Sequence, residues 1–185
     1  MGKLKVTEIS TPTDTGSITI PSGVTFAPSG HIIQVKSFTL DSAVSYSGTT
    51  AVDLGLSVDI TPSSTNSKIY VTGHIGAYCD TSASIPFFTI VRDDTTTIGS
   101  HEVVSGKINV HTSMYVGDVG MANENVLINI PFAYLDSPAS TNSTNYAIYG
   151  RGLGSHAMYI NRSAADRNQT DARVASTITA MEIAG

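Results

Sequence analysis

Tryptophan is absent from the 185 residues, cysteine occurs once, and only 14% of the side chains carry a charge. Each shortage excludes something. A lone Cys79 permits no intrachain disulfide, no CxxC pair and no cysteine-ligated zinc; it reads as a small buried side chain on a strand. Ten Lys and Arg against fifteen Asp and Glu, with no basic run, leave no footprint for a phosphate backbone, so nucleic acid is not an expected partner. No apolar run reaches about 18 residues, and no apolar stretch follows the two lysines at the start, so neither membrane insertion nor an export signal is expected. Without that signal, the N-x-S/T triplets at Asn142, Asn161 and Asn168 carry no weight as glycosylation sites. A typical domain has about 25% charged residues. Here Ser and Thr, roughly a quarter of the chain, must hydrate the surface instead.

What is present begins with a short repeat. Ser17-Ile18-Thr19-Ile20-Pro21-Ser22-Gly23 is followed at once by Val24-Thr25-Phe26-Ala27-Pro28-Ser29-Gly30, two units that each pair a small apolar alternation with a Pro-Ser-Gly corner. Stacked repeats need about three or more units to bury their apolar face. Two are too few, so Ile18, Ile20, Val24 and Phe26 must be covered by the following domain or by the same segment of neighbouring copies. Upstream, Leu4 and Val6 alternate within residues 3–9, with Ile9 out of phase. This reads as an extended arm that docks on a partner. The expected organisation is an arm with a short β repeat over 1–30 and one β-sandwich over 31–185.

The body alternates in period two with turn clusters between runs, and no useful 3.6-residue pattern occurs. Strands are predicted over 31–40, 52–60, 68–79, 85–92, 98–104, 108–116, 126–135, 145–151, 156–160 and 174–183. In the longest, Ile69, Val71, Ile75, Ala77 and Cys79 share the core face, and Tyr70, Thr72, His74 and Tyr78 share the other. The final strand sets Ile178 and Ala180 against Thr177, Thr179, Met181 and Ile183. A sandwich buries one face of each sheet. Strands apolar on both faces therefore predict a second buried surface, a subunit interface with Tyr70, His74, Tyr78, Met181 and Ile183 as candidate contacts.

Chemistry is sparse. His31, His74, His101, His111 and His156 show neither HExxH nor a His-x-His comb; only His74, if repeated around a threefold axis, would assemble three imidazoles. Asp93-Asp94 reads as a solvated hairpin tip, since adjacent carboxylates there point apart and make a poor acid/base pair. There is no GxSxG and no P-loop, and residues 150–154 read as a flexible bend without the helix a phosphate site needs. No catalytic residue, metal or cofactor is expected. A binding surface is better supported, because residues 146–151 and 158–162 concentrate the Tyr, Arg and Asn that stack on sugars and bond their hydroxyls. Tyr149, Arg151, Arg162 and Arg167 are the candidate receptor contacts.

Several segments are familiar together. Thr61-Pro62-Ser63-Ser64-Thr65-Asn66-Ser67-Lys68-Ile69-Tyr70-Val71-Thr72, then Phe88-Thr89-Ile90-Val91-Arg92-Asp93 with Thr97-Ile98-Gly99, Tyr134-Leu135-Asp136-Ser137-Pro138, Tyr159-Ile160-Asn161-Arg162-Ser163 and the ending Ser176-Thr177-Ile178-Thr179-Ala180-Met181-Glu182-Ile183 resemble a family of small structural proteins of tailed phages, especially marine ones. The resemblance implies an all-β homotrimer whose N-terminal arm attaches to other virion proteins and whose head is a jelly roll comparable to C1q and tumour-necrosis-factor heads. It implies a non-enzymatic tail fibre or tail-tip protein whose head contacts a host surface glycan or protein, assembled into the virion in the bacterial cytoplasm. A capsid decoration or head-fibre protein is the first alternative, and a free carbohydrate-binding module the second. Fibres that degrade polysaccharide are usually longer and carry a β-helix, which this chain lacks.

Overall fold

A computed structural model describes residues 28–79, 85–100, 102, 105–114, 127–154, 156–168 and 171–185. The arm residues Leu4, Val6, Ile9, Ile18, Ile20, Val24 and Phe26 lie outside them. The described residues form eleven strands and no helix: β1 (Ile32–Leu40), β2 (Val44–Ser47), β3 (Val52–Ile60), β4 (Lys68–Cys79), β5 (Phe87–Arg92), β6 (Thr96–Ile98), β7 (Thr112–Ser113), β8 (Ile128–Asp136), β9 (Thr144–Arg151), β10 (Ala157–Ile160) and β11 (Ser176–Ile183).

They make two antiparallel sheets. The twelve residues of β4 are long enough to pair β8 along one edge and, on the other, β11 up to His74 and then β10 from Ala77. β1 extends the sheet beyond β11, and β2 beyond β10. The second sheet runs β3-β9-β5, with β6 and β7 sharing the outer edge of β5. Setting aside the small β2–β10 pair, β1, β11, β4 and β8 face β3, β9, β5 and β6, the strand order of a jelly roll.

Alternation decides which side chains meet between the sheets. Ile69, Val71, Ile75 and Ala77 of β4 and Ile178 and Ala180 of β11 are fully buried, opposite Leu54, Leu56, Ile60, Phe88, Ile90 and Ile148 of the second sheet. Each such large side chain contributes about 1.5–3 kcal/mol by leaving water. Gly73 falls on the same inward face, where a Cβ would strike the Thr177 carbonyl and the Phe132 ring. Glycine there is what lets β11 and β8 close on β4.

Two polar clusters are built into this apolar interior. Between the ends of β11 and β10, where neither covers β4, Asn161 takes the place of a strand. It is fully buried with φ 63°, its N–H donates to the Gly76 carbonyl, and its carbonyl accepts from Val174 N–H. Its side chain donates to Leu40 O (2.7 Å) and Ser42 O (3.0 Å) and accepts from Ser176 Oγ (2.6 Å). A left-handed backbone suits Asn better than most residues. The second cluster closes one end of the core, where a cross-strand row runs Glu182–Ile69–Asp136 and puts a carboxylate on either side of Ile69.

Three expectations about strands need correction. The predicted strands 98–104 and 108–116 are, among the described residues, only β6 and the two-residue β7, because each covers half of β5 and Gly99, at φ 65°, turns the chain out of the ladder. β2 was not expected; its four residues are too few for alternation to register. The expected bend over 150–154 is confined to 152–154, because Gly150 and Arg151 finish β9 as the predicted strand 145–151 has them: Gly150 packs against Met158 Cε and Leu54, which leaves no space for a Cβ. The side chain of Cys79, last residue of β4, lies outside the described residues.

Candidate functional site

Strands β9 and β5 present their odd-numbered residues to the outer face of the second sheet, since Ile148, Phe88 and Ile90 fill the core. Register sets Arg151 beside Phe87 and Tyr149 beside Thr89, while Val91 pairs with Thr97 of β6. The small side chains of Thr89, Val91 and Thr97 leave a floor lower than its rims. Residues 107–110 form one wall, and Asp94 and Thr95 of the β5–β6 turn form another, enclosing a groove of about 460 Å³. Both Asp93 and Asp94 have positive φ, a conformation that Asp tolerates in tight turns.

The groove has an uneven set of polar groups. The Arg151 guanidinium carbon stands 5.5 Å from the Phe87 ring centroid, and its Nε is shielded from water without a hydrogen-bond partner. No carboxylate among the described residues forms an ion pair with it. Tyr149 Oη reaches Asp94 Oδ1 at 3.4 Å, and burial together with that carboxylate raises the phenol pKa. Lys107 is exposed at the rim. Two of the four candidate receptor contacts therefore meet here. The wall residues Lys107 and Asn109 and the floor residue Thr89 come from segments that strand alternation did not connect to β9.

Arg162 and Arg167 belong to another feature. Arg162 stacks over the Tyr159 ring at 4.8 Å and reaches Asp166 at 3.5 Å; Arg167 reaches Asp171 at 3.4 Å, and Arg173 pairs with Asp166 at 2.6 Å. The bond from Arg173 holds the Asp166 carboxyl below its ordinary pKa, and the Arg167 N–H does the same for Asp171. These cations fasten the loop before β11.

The subunit-interface candidates Tyr70, His74, Met181 and Ile183 lie on the outer face of the first sheet. Rows run Val35–Met181–Tyr70–Leu135, Ser37–Thr179–Thr72–Ala133 and Thr39–Thr177–His74–Pro131. None of these twelve positions is ionic at neutral pH, and Val35 and Leu135 are 53% and 44% exposed. Tyr78 is a correction: at 3% exposure, with the Tyr159 ring 6.1 Å away, it is already covered within the chain and presents nothing to a neighbour. His74 also loses its proposed threefold role. Ala175 O can only accept, so Nε2 carries the proton at 3.0 Å, and Nδ1 accepts from Thr177 Oγ1 at 3.1 Å. Neither nitrogen keeps a lone pair for a metal.

The two end-cluster carboxylates, Glu182 and Asp136, which no sequence motif marks, are both held by hydrogen bonds. Glu182 Oε1 accepts from Ser63 N (2.7 Å), Ser63 Oγ (2.6 Å) and Ser67 Oγ (2.7 Å), and Oε2 from Gln34 Nε2 (2.7 Å). Desolvation alone would raise its pKa, but these donors outweigh it and hold the group below the usual value. Asp136 Oδ2 accepts from Arg92 Nη1 (2.6 Å) and from Tyr146 Oη (2.7 Å), tying β8 of one sheet to β5 and β9 of the other. Burial, then the carboxylate it bonds, pushes the Tyr146 phenol far up. Among the described residues no three His, Cys, Asp or Glu side chains converge as metal ligands.

No family model matches the sequence, and no curated protein matches it. Solved structures do: that of infectious bursal disease virus, Gx strain, aligns with 92% of this chain at 14% identity and a TM-score of 0.41, and the VP2 subviral particle of the same virus at 14% and 0.40. The chain spans 41% and 42% of those proteins, respectively. With TM-scores below 0.5, these alignments carry no functional assignment.

Proposed function

We propose that the chain is a non-enzymatic virion structural protein, a homotrimeric phage tail fibre or tail-tip protein. The arm over 1–30 attaches to other virion proteins, and the sandwich over 31–185 is a receptor-binding head. The observation that carries this reading is the set of three rows without an ionic side chain on the outer face of the β1-β11-β4-β8 sheet, bounded at one end by Lys68 beside Ile183. A solvated sheet face of this size ordinarily carries Lys and Glu. Three rows without an ionic side chain suit burial against another copy, which agrees with the phage-family resemblance of the sequence. The opposite sheet then stays free, with its groove exposed to a host surface, and three copies per fibre multiply a weak contact. In the capsid-decoration alternative the same trimer binds particles, and the groove has no ligand.

The test is the solution mass by light scattering of the full chain beside Val35→Lys/Leu135→Glu. The expected result is three times the 19.4 kDa chain for the parent and a shift toward monomer for the variant. A monodisperse parent monomer overturns the trimeric reading and leaves the carbohydrate-module alternative.

A further inference from the structure

We propose that the β5–β9 groove binds a sugar residue that carries a carboxylate, of the kind found in acidic surface polysaccharides; the inference rests on the receptor-binding reading and names the ligand class of that head. Arg151 supplies the first reason. Its guanidinium is held against the Phe87 ring, its Nε is removed from water without an acceptor, and no described carboxylate pairs with it. Nε stays packed inside, and a carboxylate in the groove accepts from the two Nη groups, paired donors that arginine offers and lysine does not.

The lining and its shape supply the rest. The groove lining holds Arg151 and Lys107 against Asp94, and a second carboxylate, Asp53 beside Tyr149, stands at its margin with one oxygen accepting from Gly55 N. Thr89 and Thr97 line the floor with hydroxyls, while Val91 and the Tyr149 ring offer apolar surface. Alternating hydroxyls and apolar wall match a pyranose, whose C–H face packs on an aromatic ring while its edge exchanges hydrogen bonds. About 460 Å³ is within the range of small-ligand sites. Asp94, already within reach of the Tyr149 hydroxyl, is placed to accept from a sugar hydroxyl, which separates this groove from a site for a simple anion.

The test is calorimetric titration of the full-length protein with oligosaccharides of galacturonate, glucuronate and mannuronate and with sialyllactose, each beside its methyl ester. At least one acid is expected to bind, its ester roughly tenfold or more weaker, with an affinity that falls as salt rises. Arg151→Gln is expected to remove the preference for acid over ester. Thr97→Trp, an exposed position on the floor, is expected to block binding with an unchanged melting temperature, which covers the case in which loss of Arg151 disturbs the sheet. Equal affinity for acid and ester, no binding of any of the four acids, or a preference that survives both substitutions overturns the inference. Adhesion of the labelled protein to host cells separates the two readings. Adhesion without binding of any acid sinks the inference and leaves the receptor-binding head; binding of an acid without adhesion does the reverse.

Discussion

Replacing Glu182 with Gln keeps the shape of the side chain and removes its charge, and the consequences can be worked out bond by bond. The amide oxygen can stand where Oε1 does and still accept from Ser63 N, Ser63 Oγ and Ser67 Oγ. The new NH2 then faces Gln34 Nε2, a donor that also holds Thr61 O at 2.7 Å and cannot turn over without releasing it. Hydrogen bonds to a charged group contribute about 1.5–3 kcal/mol and neutral ones about 0.5–1.5. Ser63 is exposed and regains water, so weakening three bonds and losing one costs about 2 kcal/mol for Glu182→Gln. Glu182→Ala strips every acceptor from Ser67, which is 2% exposed, and costs about 4 kcal/mol.

The pH dependence gives the sharper test. The folded pKa of Glu182 lies below the ordinary 4.5, so the unfolded chain takes up the proton first as pH falls. Its stabilisation is therefore complete above about pH 5.5, declines below the unfolded value, and is gone once pH passes below the folded pKa. Urea unfolding midpoints of parent and Glu182→Gln, measured from about pH 6 downward, should converge with acid as the parent loses what the variant never had. Parallel curves, with a gap that stays constant to about pH 3, would refute the argument that the carboxylate is held ionised by its donors.

Substitutions at three further positions probe the fold. Gly73→Ala should cost about 3 kcal/mol or more in urea unfolding, because its Cβ meets the backbone of β11 and the Phe132 ring; a change under about 1 kcal/mol would mean the sheets have slack there. Asn161→Ala and Asn161→Gly both lose the bonds to Leu40, Ser42 and Ser176, but only Ala is penalised at φ 63°. Gly should be the milder change by about 1 kcal/mol in thermal or urea unfolding, and the opposite order would discard the left-handed account. Tyr146→Phe removes one donor from Asp136 and should destabilise by about 1–2 kcal/mol while leaving light-scattering mass unchanged; a change in mass would place Tyr146 in the interface and not in the core.

Alternation made much of this fold legible. The bounds of β3 and β4 fall where the period-two pattern puts them, and Ile69, Val71, Ile75 and Ala77 of β4 and Ile178 and Ala180 of β11 are buried. Tyr149 and Arg151, two apart on one strand, necessarily share a face. What alternation does not encode is register: nothing local says that Arg151 lies beside Phe87, or that Glu182 and Asp136 flank Ile69 from strands far apart in the chain. A signal for Glu182 was nevertheless present, since the alternation that points Ile178 and Ala180 inward continues onto it. Tyr78 shows the opposite limit, an outward residue by pattern that becomes interior when a neighbouring strand brings Tyr159 over it.

At the edge of the first sheet, Gly30 N donates to Ala184 O (2.7 Å) and Ala184 N to His31 O (2.9 Å), and from there β1 pairs with β11 as far as Leu40 opposite Ser176. Apart from a register shift between Ile32 and Gln34, β1 is thus paired with β11 from its first residue to its last. A pull on Ile32 directed along β1 acts at right angles to the ladder's hydrogen bonds and loads them together, in shear, instead of opening them singly like a zipper. Resistance to pulling is then governed by the rate at which the entire β1–β11 pairing gives way. A load entering at Ile32 would be borne by the β1–β11 pairing in the first sheet, whereas the groove is built on β5 and β9 of the second.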